Sequence, residues 1–383
     1  MSTTLPARMP AIDGLRGIAI LLVMVFHYEV RDWPWRSGIA WPAWAVIREG
    51  WLGVDLFFVI SGFLITGILH DSRGDPRYFR TFYMRRTLRI FPVYYAYLAG
   101  MFLVLPILPR VGDWVGTTPA NVQLWFWTYT SNILIGWKGF GASPAFLNHL
   151  WSLAVEEQFY LLWPLVVLMA GRRALMAICV ACIAGALAFR VGLKIADVPW
   201  IANFVLTPAR IDSLAAGALV ALVAREPGGW ALLQRWALPA TGVGLVAFVA
   251  LFHWRGLVDV SDNAMRTIGL TVVAFFFAGI IASAATARAG GSLCRALTNP
   301  VLAQVGKYSY AMYVFHFAVR MALDALGLSL AMLQDVLGTQ AGAHFAYVAA
   351  NVLATFLVAA ASWRWIESPF LRLKTRFAYG SAR

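Results

Sequence analysis

Arg16 and His27 stand 11 residues apart in one apolar run, I-D-G-L-R-G-I-A-I-L-L-V-M-V-F-H (12–27). At about 100° per residue that spacing is three turns plus roughly 20°, so on a helix both side chains share a face, about 16 Å apart along the axis. Asp13 lies on nearly the same face. An imidazole titrates near pH 6.5 and can take a proton from a hydroxyl at physiological pH. A guanidinium grips phosphate with a planar fork. Such a helix would hold an anion near one end and a general base deep along its length. His149, Ser152 and Glu156 are spaced by three and four residues and share a second helical face, whereas Glu157 points elsewhere. Asp55 and Glu156 are the carboxylates expected to orient the His27 ring. Ser61 and His316 add polar groups to apolar runs. Arg210 and Asp212 are two residues apart, about 200° on a helix, and so should serve different partners. Arg85, Arg86 and Arg89 recur at helical spacing in F-R-T-F-Y-M-R-R-T-L-R-I-F-P (79–92). They suit a phosphate-binding surface or, equally, anchoring beside anionic lipid headgroups. Plain structural roles stay open too. A buried histidine can simply be a satisfied core group, and Glu156 can hold a helix pair together.

The elements that must position these residues are membrane helices. The chain has 383 residues, 61% hydrophobic and 13% charged, with mean hydropathy +0.70. A soluble domain is about half apolar and about a quarter charged. That excludes an ordinary cytosolic enzyme and a disordered chain, and three cysteines cannot staple a fold of this size. Cys179 and Cys182 form a C-x-x-C inside an apolar run and read as small apolar residues, so no metal site is expected. The net charge of +13 would suggest nucleic acid in a soluble protein. Here it belongs to the loops of a multi-spanning chain, and no nucleic-acid partner is expected.

A spanning helix needs roughly 20 mostly apolar residues. Ten candidates follow: 13–30, 51–70, 91–109, 150–170, 174–192, 206–224, 236–253, 267–287, 308–326 and 344–362. The expected fold is an all-α bundle of about ten transmembrane helices forming one integral-membrane domain, with no internal repeat and no cleaved signal peptide. With the N-terminus inside, cytoplasmic segments carry 20 Arg and Lys and outer segments 9, which places both termini in the cytoplasm. Arg31, Arg36, Arg110, Arg190 and Lys194 are among those assigned to outer loops. Trp33, Trp35, Trp41, Trp44, Trp51, Trp125, Trp127 and Trp137 read as an outer interfacial belt. In this topology His27, Asp55, Ser152, Glu156, Arg210 and Asp212 fall in the outer half of their spans and His316 near mid-membrane. Ionisable groups at such depth are costly and mark function, and the pattern suggests one shared cavity opening outward.

Seven segments together carry a resemblance. They are 12–27 above, G-V-D-L-F-F-V-I-S-G-F-L-I (53–65), F-Y-M-R-R-T-L-R-I-F-P-V-Y-Y (82–95), H-L-W-S-L-A-V-E-E-Q-F-Y-L-L-W-P (149–164), R-I-D-S-L-A-A-G-A-L (210–219), S-Y-A-M-Y-V-F-H (309–316) and W-I-E-S-P-F (365–370). In this order the chain resembles the acyltransferase-3 family of bacterial multi-pass membrane O-acyltransferases. The resemblance implies transfer of an acyl group, usually acetyl, from cytoplasmic acyl-CoA to a hydroxyl of an envelope or secreted acceptor. The family's paired Arg and His fall on Arg16 and His27. A glycan, a glycolipid or a glycosylated small molecule would serve as acceptor, in the bacterial inner membrane, with no tightly bound cofactor. The chain stops about 20 residues after its last span, so the C-terminal esterase-like domain of some relatives is not expected. Direct attack with His27 as base and a covalent acyl-His intermediate both stay open. The competing class is a proton-coupled exporter, which intramembrane His, Asp, Glu and Arg would also suit.

Overall fold

A computed structural model describes residues 9–28, 47–107, 116–255, 259 and 261–379. Trp33, Trp35, Trp41 and Trp44 of the expected belt, and Arg8, Arg31, Arg36, Arg110 and Arg383 of the charge bias, lie outside the described residues. Among those described there is no β-strand. The long helices are α1 (Pro10–His27), α2 (Gly53–Asp71), α3 (Tyr78–Ala99), α4 (Trp151–Met169), α5 (Arg172–Ile195), α6 (Thr207–Val223), α7 (Gly229–Arg255), α8 (Leu270–Ala285), α9 (Pro300–Ala325) and α10 (Gln340–Ser362). Among the described residues nine of these, taken with the short helical segments that adjoin some of them, are long and apolar enough to cross a membrane. The tenth, α9, is so only with the short helix Leu330–Leu337, from which it bends by 55°. The protein is a polytopic membrane helix bundle.

Two ends differ from expectation. Helix α3 begins at Tyr78, not near 91, so Arg80, Arg85, Arg86 and Arg89 stand on its first turns rather than in a loop. Residues 78–91 contain no Gly or Pro, so nothing in that stretch stops a helix from running past the apolar region. Beyond α10 the chain continues helically through Trp363–Glu367 and Ser368–Arg372 to Leu373–Phe377.

In lipid, helices associate by close packing, and glycines let their backbones touch. Helices α2 and α6 do this reciprocally. A Cβ on Gly62 would lie 1.9 Å from the Leu214 carbonyl oxygen, and one on Gly217 2.0 Å from that of Val59. Helices α1 and α9 cross in the same way, Gly17 against the carbonyl of Leu302 and Gly306 against that of Asp13. Helix α2 also packs on α1 and α4, and α3 on α9. Helices α1, α2, α4 and α9 therefore carry the expected site residues onto neighbouring faces.

Two ion pairs sit at the heart of this packing. Arg210 Nη2 donates to Asp55 Oδ1 at 2.6 Å, and Ser213 Oγ donates to the same oxygen at 3.0 Å. Arg190 Nη2 lies 2.8 Å from Asp212 Oδ2, with Thr271 Oγ1 bridging to Asp212 at 3.0 Å. Both arginines are wholly buried. Arg190 is thus inside α5, not in an outer loop. Its position follows the buried stripe Leu175, Cys179, Ile183 and Ala186, which returns to the same face every three or four residues. Arg210 and Asp212 do serve different partners, one on α2 and one on α5.

Candidate active site

Tyr310, Tyr313 and His316 recur every three residues along α9, which turns all three toward α1 and α4. His316 Nδ1 lies 2.6 Å from the Tyr313 carbonyl oxygen, and His316 Nε2 lies 2.9 Å from His27 Nδ1. A carbonyl only accepts, so His316 Nδ1 carries the hydrogen and its Nε2 the lone pair. His27 Nδ1–H must then donate to that lone pair. A neutral His27 is left with its own lone pair on Nε2, the form a general base needs. The two rings stack with centroids 5.0 Å apart, and Phe317 packs on His27 at 4.6 Å. His149 closes the cluster edge-on, 4.7 Å from His316. Its Nε2–H donates to the Val314 carbonyl at 3.2 Å, while its buried Nδ1 has no hydrogen-bond partner. Arg320 Nη1 donates to the His27 carbonyl at 2.5 Å. No three His, Cys, Asp or Glu among the described residues are arranged to hold a metal ion.

A cavity of about 70 Å³ lies next to this cluster, between α1, α2, α4 and α9. Its polar lining comprises Arg16, Ser61, Ser152, Glu156, Tyr160, Ser309, Tyr310 and Tyr313. The Ser61 and Tyr160 hydroxyls are hydrogen-bonded to each other beside Glu156. Tyr313 is the shared wall. Its hydroxyl meets Ser152 Oγ at 2.6 Å and donates to the His149 carbonyl at 2.9 Å, while its own carbonyl holds His316.

At the Arg16 end the first turns of α3 meet the chain beyond α10. Arg16, Arg85, Arg86, Arg89 and Lys374 lie within electrostatic reach of one another. Glu367 is near Arg89 and Lys374. Among the described residues no carboxylate comes within 4.0 Å of any of the five cations.

The structure thus brings Arg16, Ser61, Ser152 and Glu156 into one cavity and His27, His149 and His316 into one cluster beside it. Among the described residues no carboxylate sits on His27. Asp55 is held by Arg210 and Ser213, and Glu156 shares the cavity with Arg16, three helical turns from His27 along α1. The partner of His27 is another imidazole. Among the described residues the cavity does not take in the whole set: Asp55, Arg210 and Asp212 are held in ion pairs and do not line it, and neither does His27. Asp13 is beside Arg16. Tyr160, Tyr310, Tyr313 and Lys374 are not marked out by charge within a span or by a basic run, whereas Arg320 is an ionisable group inside the 308–326 span. A signal existed for two of them. Tyr313 is three residues before His316, and Tyr160 is four after Glu156, so each shares its neighbour's helical face.

The family described as acyltransferase domain matches residues 9–364. Similar chains include one named "Putative O-acetyltransferase SAS0844" from Staphylococcus aureus strain MSSA476, 26% identical over 397 residues, covering 94% of this chain and 57% of that protein. "O-acetyltransferase OatA" of Staphylococcus aureus strain NCTC 8325 / PS 47 is 26% identical over 391 residues, covering 95% of this chain and 57% of its own length. The chain therefore spans 57% of the length of these curated relatives. No solved structure matches it.

Proposed function

Since the chain belongs to the acyltransferase-3 family, we propose that it is a membrane-embedded O-acyltransferase moving an acyl group, acetyl by likeness to its relatives, from acyl-CoA to a hydroxyl of a carbohydrate or glycosylated acceptor. The observation that carries this reading is the His27–His316 pair, whose tautomers leave a basic nitrogen at one end of α1 while Arg16 stands in a cation-rich region near the other. The same charge bias that orients the spans puts the Arg16 end toward the cytoplasm, where acyl-CoA is made. The acceptor arrives from the outer side of a bacterial inner membrane.

In this mechanism the arginines hold the phosphates of CoA and the slender pantetheine arm carries the thioester toward the histidines. His27 Nε2 takes the proton of the acceptor hydroxyl as its oxygen attacks the thioester carbonyl carbon. The C–O bond forms, the C–S bond breaks, and the departing thiolate recovers the proton from His27. His316 keeps His27 in the productive tautomer and accepts a charge-assisted hydrogen bond from the imidazolium, the part a carboxylate plays in a serine-hydrolase triad. Arg320, on the His27 carbonyl, fixes the end of α1.

The test is chemical. Envelope glycans and secreted metabolites from cells with the gene, without it, and with His27→Ala at matched expression are compared by mass spectrometry. Acetyl esters present only with the intact gene support the reading. Esters undiminished in His27→Ala overturn the assignment of His27, and a cargo moved with its mass unchanged would make the protein an exporter.

A further inference from the structure

The residues just beyond α10 fold back over the arginines of α3. Arg85 Nη1 donates to the carbonyls of Phe377 at 3.0 Å and Lys374 at 3.3 Å. The same guanidinium stands 5.4 Å from the ring centre of Tyr379, and that of Arg80 stands 5.7 Å from the ring of Phe377. These contacts bring the Lys374 ammonium within reach of Arg16, Arg85, Arg86 and Arg89. Gathering like charges opposes folding, and among the described residues the nearby acids, Asp13 and Glu156 beside Arg16 and Glu367 near Arg89 and Lys374, make no ion pair within 4.0 Å with any of the five cations. Glu367, the acid near Arg89 and Lys374, is at no ion-pair distance from either. Five cations held together match a ligand with several phosphate groups better than a single phosphate. Aromatic rings already seated on guanidinium faces also offer a surface on which a nucleobase can stack.

Building on the acyl-CoA reading, we infer that residues 373–379 form a strap that completes a nucleotide site at this end of the bundle. Lys374 binds a phosphate of the donor beside the α3 arginines, and Tyr379 supports its purine ring. The strap therefore reads the nucleotide half of the donor, the part that takes no part in the chemistry.

The experiment uses the full chain purified into nanodiscs. Binding of CoA, 3′-dephospho-CoA and pantetheine is measured for the wild type, Lys374→Gln, Lys374→Arg and Tyr379→Ala. The wild type should prefer CoA to pantetheine. Lys374→Gln should shrink that preference about tenfold, as loss of one charge-assisted contact would. Tyr379→Ala should shrink it about fivefold or more, as loss of a stacked base would, and Lys374→Arg should largely restore it. If the wild type binds CoA and all three variants keep the full preference, the strap proposal is wrong and the donor reading stands. A wild type that does not bind CoA sinks the donor reading, and the strap with it. If the substitutions lower only co-purifying anionic phospholipid, the cations serve lipid headgroups and the nucleotide proposal fails. A thermal unfolding midpoint equal to the wild type's shows that each variant is folded.

Discussion

Replacing His316 with phenylalanine tests the histidine pair most directly. The somewhat larger phenyl ring still packs against Phe317 and Tyr313, but the acceptor 2.9 Å from His27 Nδ1 is gone. Two effects add. The neutral His27 loses the partner that fixes its hydrogen on Nδ1, and the imidazolium formed during proton transfer loses a hydrogen bond to a charged group, worth about 1.5–3 kcal/mol. Applied to the transition state alone, that is a fall of roughly 10- to 150-fold in kcat. Donor binding lies at the other end of α1, so the concentration of acyl-CoA for half-maximal rate should move little. Glutamine at 316 retains an acceptor oxygen on a flexible stem and should recover part of the loss. The assay is alkali-labile acetate in envelopes from cells expressing each variant at equal level, paired with CoA affinity of the purified proteins. A His316→Phe protein that is folded, binds CoA and forms ester at the wild-type rate would refute the tautomer argument.

His27→Ala removes the base outright and should lower ester formation by about 10²- to 10⁴-fold with CoA binding retained; radiolabelled acetyl transfer in membranes measures both. Arg210→Leu strands the Asp55 carboxylate without a counter-ion, a loss of about 3–5 kcal/mol that should appear as a lowered unfolding midpoint, and Asp55→Asn in the same chain should recover much of it. If Arg210→Leu unfolds at the wild-type temperature, the pair is not structural. Gly217→Val forces a side chain into the Val59 backbone, so α2 and α6 must part. About 1–3 kcal/mol of destabilisation and a poor yield of folded protein are expected, read by size-exclusion chromatography in detergent.

Much of this arrangement was legible because one α-helical period governs both the lipid-facing and the inward-facing pattern. Arg16 with His27, and Ser152 with Glu156, fall where helical spacing puts them, and the opposite loyalties of Arg210 and Asp212 follow from two residues on one helix. The partners of His27 and Asp55 were not legible. Depth in the membrane says how far along its own helix a group sits, but not which neighbour it faces. The crossing of α1 on α9 decides that, through backbone contact at Gly17 and Gly306. Arg190 hid behind the habit of reading cations near span ends as loop residues, although the stripe from Leu175 to Ala186 already pointed inward at it. Lys374 lay outside the span scheme altogether, because its proximity to Arg89 depends on the chain turning back after α10.

The hydrogen bond between Tyr313 and Ser152 has a consequence for the cell as well as for the reaction. An enzyme whose two substrates approach from opposite faces risks becoming a leak, since a continuous wet channel would discharge the ion gradient across the bilayer. Tyr313, Ser152 and the backbone carbonyl of His149 are hydrogen-bonded between the cavity that Arg16 lines and the imidazoles; under the proposed reaction they would act as a bulkhead against such a leak. Under the proposed reaction, acyl hand-over would displace the Tyr313 ring, whose own backbone carbonyl holds His316. Opening the bulkhead and loosening the base would then be one mechanical event.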